Sequence, residues 1–317
     1  MSKYRVLLTD RPWADLEIEK KILSPIGVEL IDSPDGSESS LQELAANVDA
    51  IATCWAEVTE KVVRSAKNCK VICRMGIGLD NIDIETASEL KIPVTNVPDY
   101  CVEEVADHTM GLLLALKRNI GFFHQRTKQG EYNLKAGPPM QRLKGMRLGL
   151  IGFGRIGREV YQRARAFGLD VVASTPSGNQ YGTDCPMLPL KELLQTSKII
   201  SLHAPLTDET QHLLDATAFE QMPAGVCIIN TSRGPLIDPV ALEQAIQAGK
   251  VAGAGLDVFD PEPPDLNDSL YQNEKVIVTP HAAFVSEEAL TDLRTRVAMQ
   301  IKTVLEGGVP ENVVNEY

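Results

Sequence analysis

The chain has 317 residues, 44% of them hydrophobic, and a formal net charge of −12; it is long enough for two domains with cores of their own, and its acidic balance excludes a general nucleic-acid or anionic-membrane partner. Six cysteines, Cys54, Cys69, Cys73, Cys101, Cys185 and Cys227, form no CxxC pair and no dense framework, so reduced, mostly buried thiols in a cytoplasmic protein are expected, with no metal site. The opening MSKYRVLLTD lacks the pattern of a secretory leader, and the longest helical apolar run, Met110 to Leu116, falls far short of the ~20 residues a bilayer demands, so no membrane span is expected.

In chain order, Tyr4–Leu8 reads as a strand, Trp13–Leu23 as an amphipathic helix, Val28–Ile31 as a strand and Leu41–Ala46 as a helix. Strands at Asp49–Thr53 and Lys70–Arg74 flank a helix at Thr59–Ala66. Such alternation predicts a parallel sheet with helices on both faces. No glycine-rich phosphate loop follows the first strand, so this unit is expected to bind something other than a nucleotide. Its most informative piece is Arg74-Met-Gly-Ile-Gly-Leu-Asp80, a turn between a strand and an Ile84–Leu90 helix. The amides of Gly76, Ile77 and Gly78 can cradle a small anion such as a carboxylate. A plain turn explains the same glycines equally well.

After a strand at Val94–Asn96, Val102–Lys117 is the longest apolar-periodic helix and too rich in Leu and Met for a surface position. It is expected to lie buried between domains or between subunits. It carries His108, expected as a structural histidine, and Thr109. The segment 128–143, with Gly137-Pro138-Pro139, has the composition of a linker or arm.

A second α/β unit opens with LGLIGFGRIG, residues 148–157. An apolar strand, Leu148–Ile151, meets Gly152-Phe153-Gly154-Arg155-Ile156-Gly157 and then a long helix, the context that makes this pattern a dinucleotide site. Gly152 allows the tight turn, Gly154 lets a pyrophosphate approach, and Gly157 lets the helix pack closely, with the helix N-terminus facing the phosphates. Further strands are expected at Asp170–Ala173, Lys198–Leu202, Val226–Asn230, Gly253–Val258 and Val276–Thr279, with helices that include Pro239–Ala248 and a final Glu287–Leu305. The fold class is therefore α/β, with two doubly wound parallel-sheet domains. Where an acidic residue would hold the adenosine ribose, this chain has Thr175, and Ser174, Ser177 and Asn179 around it are neutral as well, with no basic residue close by in sequence. NAD(H) is thus favoured and NADP(H) admitted, because no carboxylate repels a 2′-phosphate there.

Ligands of such sheets bind at the carboxyl ends of strands. Three candidates stand at those ends: Arg233, Glu262 and His281. An arginine can hold a 2-oxo acid by its carboxylate or carbonyl oxygen. A histidine can protonate the developing alkoxide, and a glutamate beside it can hold the imidazolium in place.

Around these residues Asn230-Thr-Ser-Arg233-Gly, Gly255-Leu-Asp257-Val-Phe-Asp-Pro-Glu262-Pro and Thr279-Pro-His281-Ala-Ala resemble the signature blocks of the D-isomer-specific 2-hydroxyacid dehydrogenases. The resemblance extends over nearly the whole chain. Asn96-Val-Pro-Asp-Tyr100 and the run after His281 resemble the branch that contains the C-terminal binding proteins. It implies a Rossmann cofactor domain, residues 102–284, inserted in a flavodoxin-like substrate domain, residues 1–101 with 285–317. It implies Arg233 as substrate binder, His281 as proton donor or acceptor and Glu262 as its partner. It places Met75, Gly76, Ile77 and Gly78 with Arg233 and His281 at the substrate. Along the cofactor it places Thr109, Gly152 to Gly157, Thr175, His203, Ala204, Pro205, Thr210, Thr231, Ser232, Arg233, Asp257, His281 and Ala283.

The implied activity is hydride transfer between a nicotinamide cofactor and a small 2-oxo or 2-hydroxy acid in an interdomain cleft, by a homodimer, as in glyoxylate or hydroxypyruvate reductases. Formate dehydrogenases carry a glutamine where this chain has Glu262, which argues against that chemistry. The loop Thr53-Cys-Trp55-Ala lacks the arginine that phosphoglycerate-type members carry, and their regulatory extension is missing, so a phosphorylated substrate is less expected. Trp55, Tyr100, Met75 and Phe284 are candidates for an apolar substrate pocket or for core. The rival function is a cofactor-sensing, protein-binding regulator like the animal C-terminal binding proteins.

Overall fold

The computed structural model describes residues 3–317. The chain forms two compact units, one from the residues up to Tyr100 together with Ser286–Tyr317, the other Cys101–Val285. In chain order the first unit begins β1 (Tyr4–Leu8), α1 (Glu17–Leu23), β2 (Val28–Asp32), α2 (Glu38–Ala45), β3 (Ala50–Thr53), α3 (Glu60–Ser65), β4 (Ile72–Arg74), α4 (Ile84–Glu89) and β5 (Val94–Thr95). The second unit comprises α5 (Val102–Lys117), α6 (Ile120–Lys128), β6 (Arg147–Ile151), α7 (Arg155–Ala166), β7 (Asp170–Ser174), α8 (Leu190–Thr196), β8 (Ile199–Leu202), α9 (Ala216–Gln221), β9 (Val226–Asn230), α10 (Pro239–Gln247), β10 (Val251–Leu256), α11 (Ser269–Gln272) and β11 (Val276–Val278). The last helix, α12 (Glu287–Leu305), returns to the first unit.

The first sheet is parallel in the order β2-β1-β3-β4-β5, the flavodoxin-like arrangement. One face packs on α12 through Leu293, Val297 and Ile301, the other on α2, α3 and α4 through residues such as Leu41, Val62 and Ala87. Its strands are buried on both faces, which is why they are short continuous apolar runs such as AIAT. The second sheet runs β11-β10-β9-β8-β6-β7, and a parallel bridge from Ala173 to Met187 adds one more rung beyond β7. The order in which the parallel strands are added changes side between β6 and β8, so the carboxyl ends of these two strands flank the crevice where such folds take ligands.

Several boundaries move for identifiable reasons. The first helix starts at Glu17 rather than Trp13, because Asp15 Oδ1 accepts the Glu17 N–H at 3.0 Å and ends the run there, while Trp13 packs in the core. Ala106, Met110, Leu112 and Leu113 of α5 pack against α7, β9 and β10 inside the second unit. The segment expected as an arm from residue 128 is preceded by α6, which the polar, glycine-containing IGFFHQRTK sequence concealed.

Burial of one ion pair joins α12 to α1. Arg294 Nε and Nη2 donate to the two oxygens of Glu19, each at 2.8 Å, with both side chains under a tenth exposed. Asp15 and the Trp13 ring complete the shell of the guanidinium. Removing one partner of such a pair strands a buried charge. Glu19→Ala is expected to lower stability by about 3 kcal/mol, Asp15 compensating in part; urea unfolding of the purified chain measures it, and a loss under about 1 kcal/mol would contradict the pair's role.

Candidate active site

β6 passes into α7 through Gly152–Gly154. A Cβ on Gly152, whose φ is +95°, would collide with the main chain of His203, and one on Gly157 would stand 2.6 Å from the Gly152 carbonyl oxygen. Only glycine lets this helix close on its turn. Around Gly154 the opposite holds, since nothing lies within 4 Å of a Cβ built there. The first main-chain bond of α7 is Arg158 N–H to Gly154 O at 3.2 Å. The amides of Gly154 to Gly157 therefore have no acceptor among the described residues and stand at the positive end of the helix dipole. A pyrophosphate fits this open row of donors. Phe153 offers its main chain alone, since its ring is buried 5.7 Å from that of Tyr161, and Ile156 packs on the same core while Arg155 is exposed.

At the end of β7, Thr175 Oγ1 accepts the Gly178 N–H at 3.1 Å, which closes a local turn. The chain then returns along α7. Arg158 lies 4.6 Å from the centre of the Tyr181 ring, and the Tyr161 hydroxyl donates to Asp184 at 2.5 Å. A guanidinium thus reaches this loop from the helix, which sequence proximity did not disclose. After β8, the His203 N–H donates to Ile151 O at 2.7 Å and its Nε2 pairs with Ser201 Oγ at 2.9 Å. Burial pushes the His203 imidazole down to about 4, so it is neutral at pH 7. Ser232 Oγ donates to Ala204 O and Thr210 Oγ1 to Pro205 O, each at 2.7 Å, which fixes the strand-end loops. Thr109 is fully buried and donates to Val105 O at 2.7 Å, so at 2.8 Å its oxygen accepts the hydroxyl proton of Thr231.

The centre of the catalytic end is Asp257, directly after β10 and fully buried. Its Oδ1 accepts Thr279 Oγ1–H at 2.5 Å and the Ala282 N–H at 2.9 Å, and Oδ2 accepts the Ala283 N–H at 2.9 Å. Its main-chain oxygen accepts the His281 N–H at 2.8 Å. The Thr279 proton is committed to Asp257, so the Thr279 oxygen must accept from His108 Nε2–H, 2.9 Å away. His108 Nε2 is also 3.5 Å from Asp257 Oδ1. Residues 279–283 are thereby held in one conformation, with His281 in the left-handed region at φ +51°.

The His281 ring is held from its other side. Nδ1 is 2.8 Å from Glu262 Oε2, and Glu262 Oε1 accepts the Phe259 N–H at 2.8 Å. The two side chains are 24% and 31% exposed, so ligands reach them. Nδ1–H is thereby directed at the carboxylate, which fixes the orientation of the ring. Arg233 follows β9 on a turn shaped by buried Asn230, whose Nδ2 donates to Arg233 O at 2.7 Å and whose Oδ1 accepts the Ser232 N–H at 3.0 Å. Gly234 presses against the Phe259 main chain so closely that no side chain fits. This locks the Arg233 turn onto the segment that supplies Glu262. The structure thus brings Arg233, Glu262 and His281 to one end of the second sheet, and adds Asn230, Thr279 and His108, which sequence reasoning left out of the site.

In the first unit, the Gly76 oxygen accepts the Val97 N–H at 3.0 Å and the Ile77 oxygen accepts Asn96 Nδ2–H at 2.8 Å. Both carbonyls are pinned, while no acceptor among the described residues takes the amides of Gly76, Ile77 or Gly78. Adjacent unpaired amides of this kind form an anion cradle and favour that role over a plain turn. The Met75 side chain is 3% exposed and packs in the core of this unit, so it does not present itself as a pocket wall; Phe284 is also buried, and Trp55 is 39% exposed.

A doubly wound unit with a donor-rich phosphate turn, ending in a histidine backed by a carboxylate, defines a dinucleotide-dependent oxidoreductase. Residues 110–283 match the family described as D-isomer specific 2-hydroxyacid dehydrogenase, NAD binding domain, and the chain belongs to that family. It is 38% identical over 294 residues to a hydroxypyruvate reductase of Thermotoga maritima, covering 91% of this chain and 94% of that protein. It is 38% identical over 316 residues to a D-3-phosphoglycerate dehydrogenase of Methanocaldococcus jannaschii, covering 98% of this chain but only 59% of that protein. Among solved structures, a glyoxylate reductase from Paecilomyes thermophila superposes with a TM-score of 0.88 at 28% identity, covering 100% of this chain and 99% of that one.

The two helix-facing glycines have separable roles. Gly154→Ala is expected to leave stability within about 0.5 kcal/mol and to weaken NADH binding by about tenfold or more, whereas Gly157→Ala is expected to destabilise the unit by ~1–3 kcal/mol. Urea unfolding and quenching of protein fluorescence by NADH distinguish them; an unchanged NADH affinity in Gly154→Ala would show that the open face is not the phosphate site.

Proposed function

We propose that this protein reduces small, unphosphorylated 2-oxo acids such as glyoxylate or hydroxypyruvate to their 2-hydroxy acids, with NAD(H) favoured and NADP(H) accepted. The observation that carries the proposal is the 2.8 Å pair of His281 Nδ1 with Glu262. A histidine so oriented has a carboxylate beside Nδ1 to stabilise its cationic form, and Nε2 is the nitrogen we assign to proton exchange with the substrate oxygen. The names of the Thermotoga and Paecilomyes relatives agree with this substrate class.

The bound nicotinamide supplies or takes the hydride at C2 of the substrate. Every other task falls to the chain. Gly76, Ile77 and Gly78 hold the substrate carboxylate by their amides, and Arg233 holds the carbonyl oxygen and polarises it. His281 Nε2 gives its proton to the alkoxide as charge develops there, and Glu262 steadies the imidazolium before the transfer. Gly154 to Gly157 hold the pyrophosphate, while His203, Ala204, Pro205, Thr231 and Ser232 shape the crevice from the β8 and β9 ends. Thr175 in place of a carboxylate is the basis for accepting NADP(H). The intact trio argues against a purely sensing regulator, and a phosphoglycerate dehydrogenase is the lesser alternative, favoured by archaeal relatives of whose length this chain spans 59% and 53%.

Two subunits are expected. With α5 accounted for inside its own unit, the support lies in Ile120, Tyr132 and Leu134, which are 54%, 97% and 81% exposed on the stretch from α6 to the arm. The six buried free cysteines suit a reducing cytoplasm.

His281→Ala is expected to bind NADH as the parent does and to lose about 10²–10⁴-fold in reduction of the best 2-oxo acid; retained turnover would remove the proposed proton donor. Thr175→Asp is expected to weaken NADPH about tenfold or more relative to NADH through like-charge repulsion. Dissociation constants for both cofactors measure this, and an unchanged ratio would place the ribose pocket elsewhere.

A further inference from the structure

Beneath the Gly76–Gly78 turn lies a cation with no acidic partner among the described residues. Arg74, the last residue of β4, is 7% exposed, yet it enters no ion pair among the described residues. Its Nε–H donates to Asn81 Oδ1 at 3.1 Å and its Nη1 to Met75 O at 2.5 Å, both neutral acceptors. Asn81 is itself oriented, because its Nδ2 donates to Ala56 O at 2.9 Å, which turns the amide oxygen towards Arg74. A Cβ on Gly76 would stand 2.5 Å from Nη1 and 3.2 Å from Nη2. The guanidinium therefore fills the place of the side chain that Gly76 lacks and lies against the turn whose amides are unpaired.

Burying a cation away from any carboxylate is unfavourable, and a guanidinium cannot escape by losing its proton. The protein meets its N–H groups with neutral partners, Asn81 Oδ1, the Met75 carbonyl and the buried Cys54 thiol. Such a charge is stabilised when an anion arrives beside it. The setting sharpens the effect, because a chain with a net charge of −12 repels small anions in general and must attract them locally.

We propose that Arg74 makes this turn selective for a carboxylate. Its positive field reinforces the amides of Gly76, Ile77 and Gly78, so a 2-oxo acid is taken and the uncharged ester of the same compound is refused. Arg74 is a specificity residue rather than a catalytic one, and the inference rests on the assignment of the substrate carboxylate to this turn.

The test compares the parent with Arg74→Gln and Arg74→Lys. It uses two readouts: binding of oxamate to the NADH complex by fluorescence, and the kcat/KM ratio of the best-reduced 2-oxo acid over its methyl ester. Arg74→Gln is expected to weaken oxamate and to lower the acid-over-ester ratio, each by about tenfold or more, with NADH affinity unchanged. Arg74→Lys keeps the charge and is expected to hold the ratio within about threefold. Parent-like oxamate binding and ratio in Arg74→Gln would overturn the proposal. Should that variant not fold, loss of the ratio in Arg74→Lys would overturn it and retention would support it. A parent protein that binds NADH, ignores oxamate and reduces no 2-oxo acid would instead overturn the assigned function on which the inference rests.

Discussion

The catalytic end of the second unit depends on the burial of one carboxylate. Asp257 has no contact with solvent, so its charge is tolerable only if donors meet both of its oxygens. The donors it recruits are Thr279, Ala282 and Ala283, and its own carbonyl takes the His281 N–H. That requirement fixes residues 279–283 and with them the position of the histidine. His108 reaches the same cluster from α5 through Thr279, so the helix that packs the core also braces the site. A side chain that is to exchange a proton must be placed to within tenths of an ångström, and a buried carboxylate with three donors places the histidine more firmly than a surface loop can.

A second theme is the separation of pinned carbonyls from unpaired amides. At the start of α7 and at Gly76–Gly78 the main chain turns its oxygens inward and leaves consecutive N–H groups without acceptors among the described residues. Both places are donor-rich patches on an acidic protein. Each suits one anionic part of the reactants, the pyrophosphate in one case and the substrate carboxylate in the other.

Much of this was legible in the sequence because local rules and the fold agree. The phosphate turn announces itself through glycines whose spacing is dictated by sterics, and the structure shows what a Cβ would strike at Gly152 and Gly157. The parallel strands are apolar on both faces, so their positions, though not their ends, follow from composition. Amphipathic periodicity extends the first helix back to Trp13 because it cannot see that Asp15 Oδ1 takes the Glu17 N–H. The rich apolar pattern of α5 says that the helix is buried and not by what, and in the structure α7, β9 and β10 do it. Arg158, His108, Arg74 and Asn81 act through partners far away in sequence, and no spacing rule links Arg158 to Tyr181 or His108 to Thr279. Residues that hold other residues are visible only in three dimensions.

The most direct measurement is steady-state oxidation of NADH by the purified protein with glyoxylate and hydroxypyruvate as acceptors. Saturable turnover with at least one of them is the predicted result, since an oriented His281–Glu262 pair beside a dinucleotide site is assembled for proton transfer coupled to reduction. Tight NADH binding with no turnover of either acid would contradict the account and point to a protein that senses the cofactor without using it.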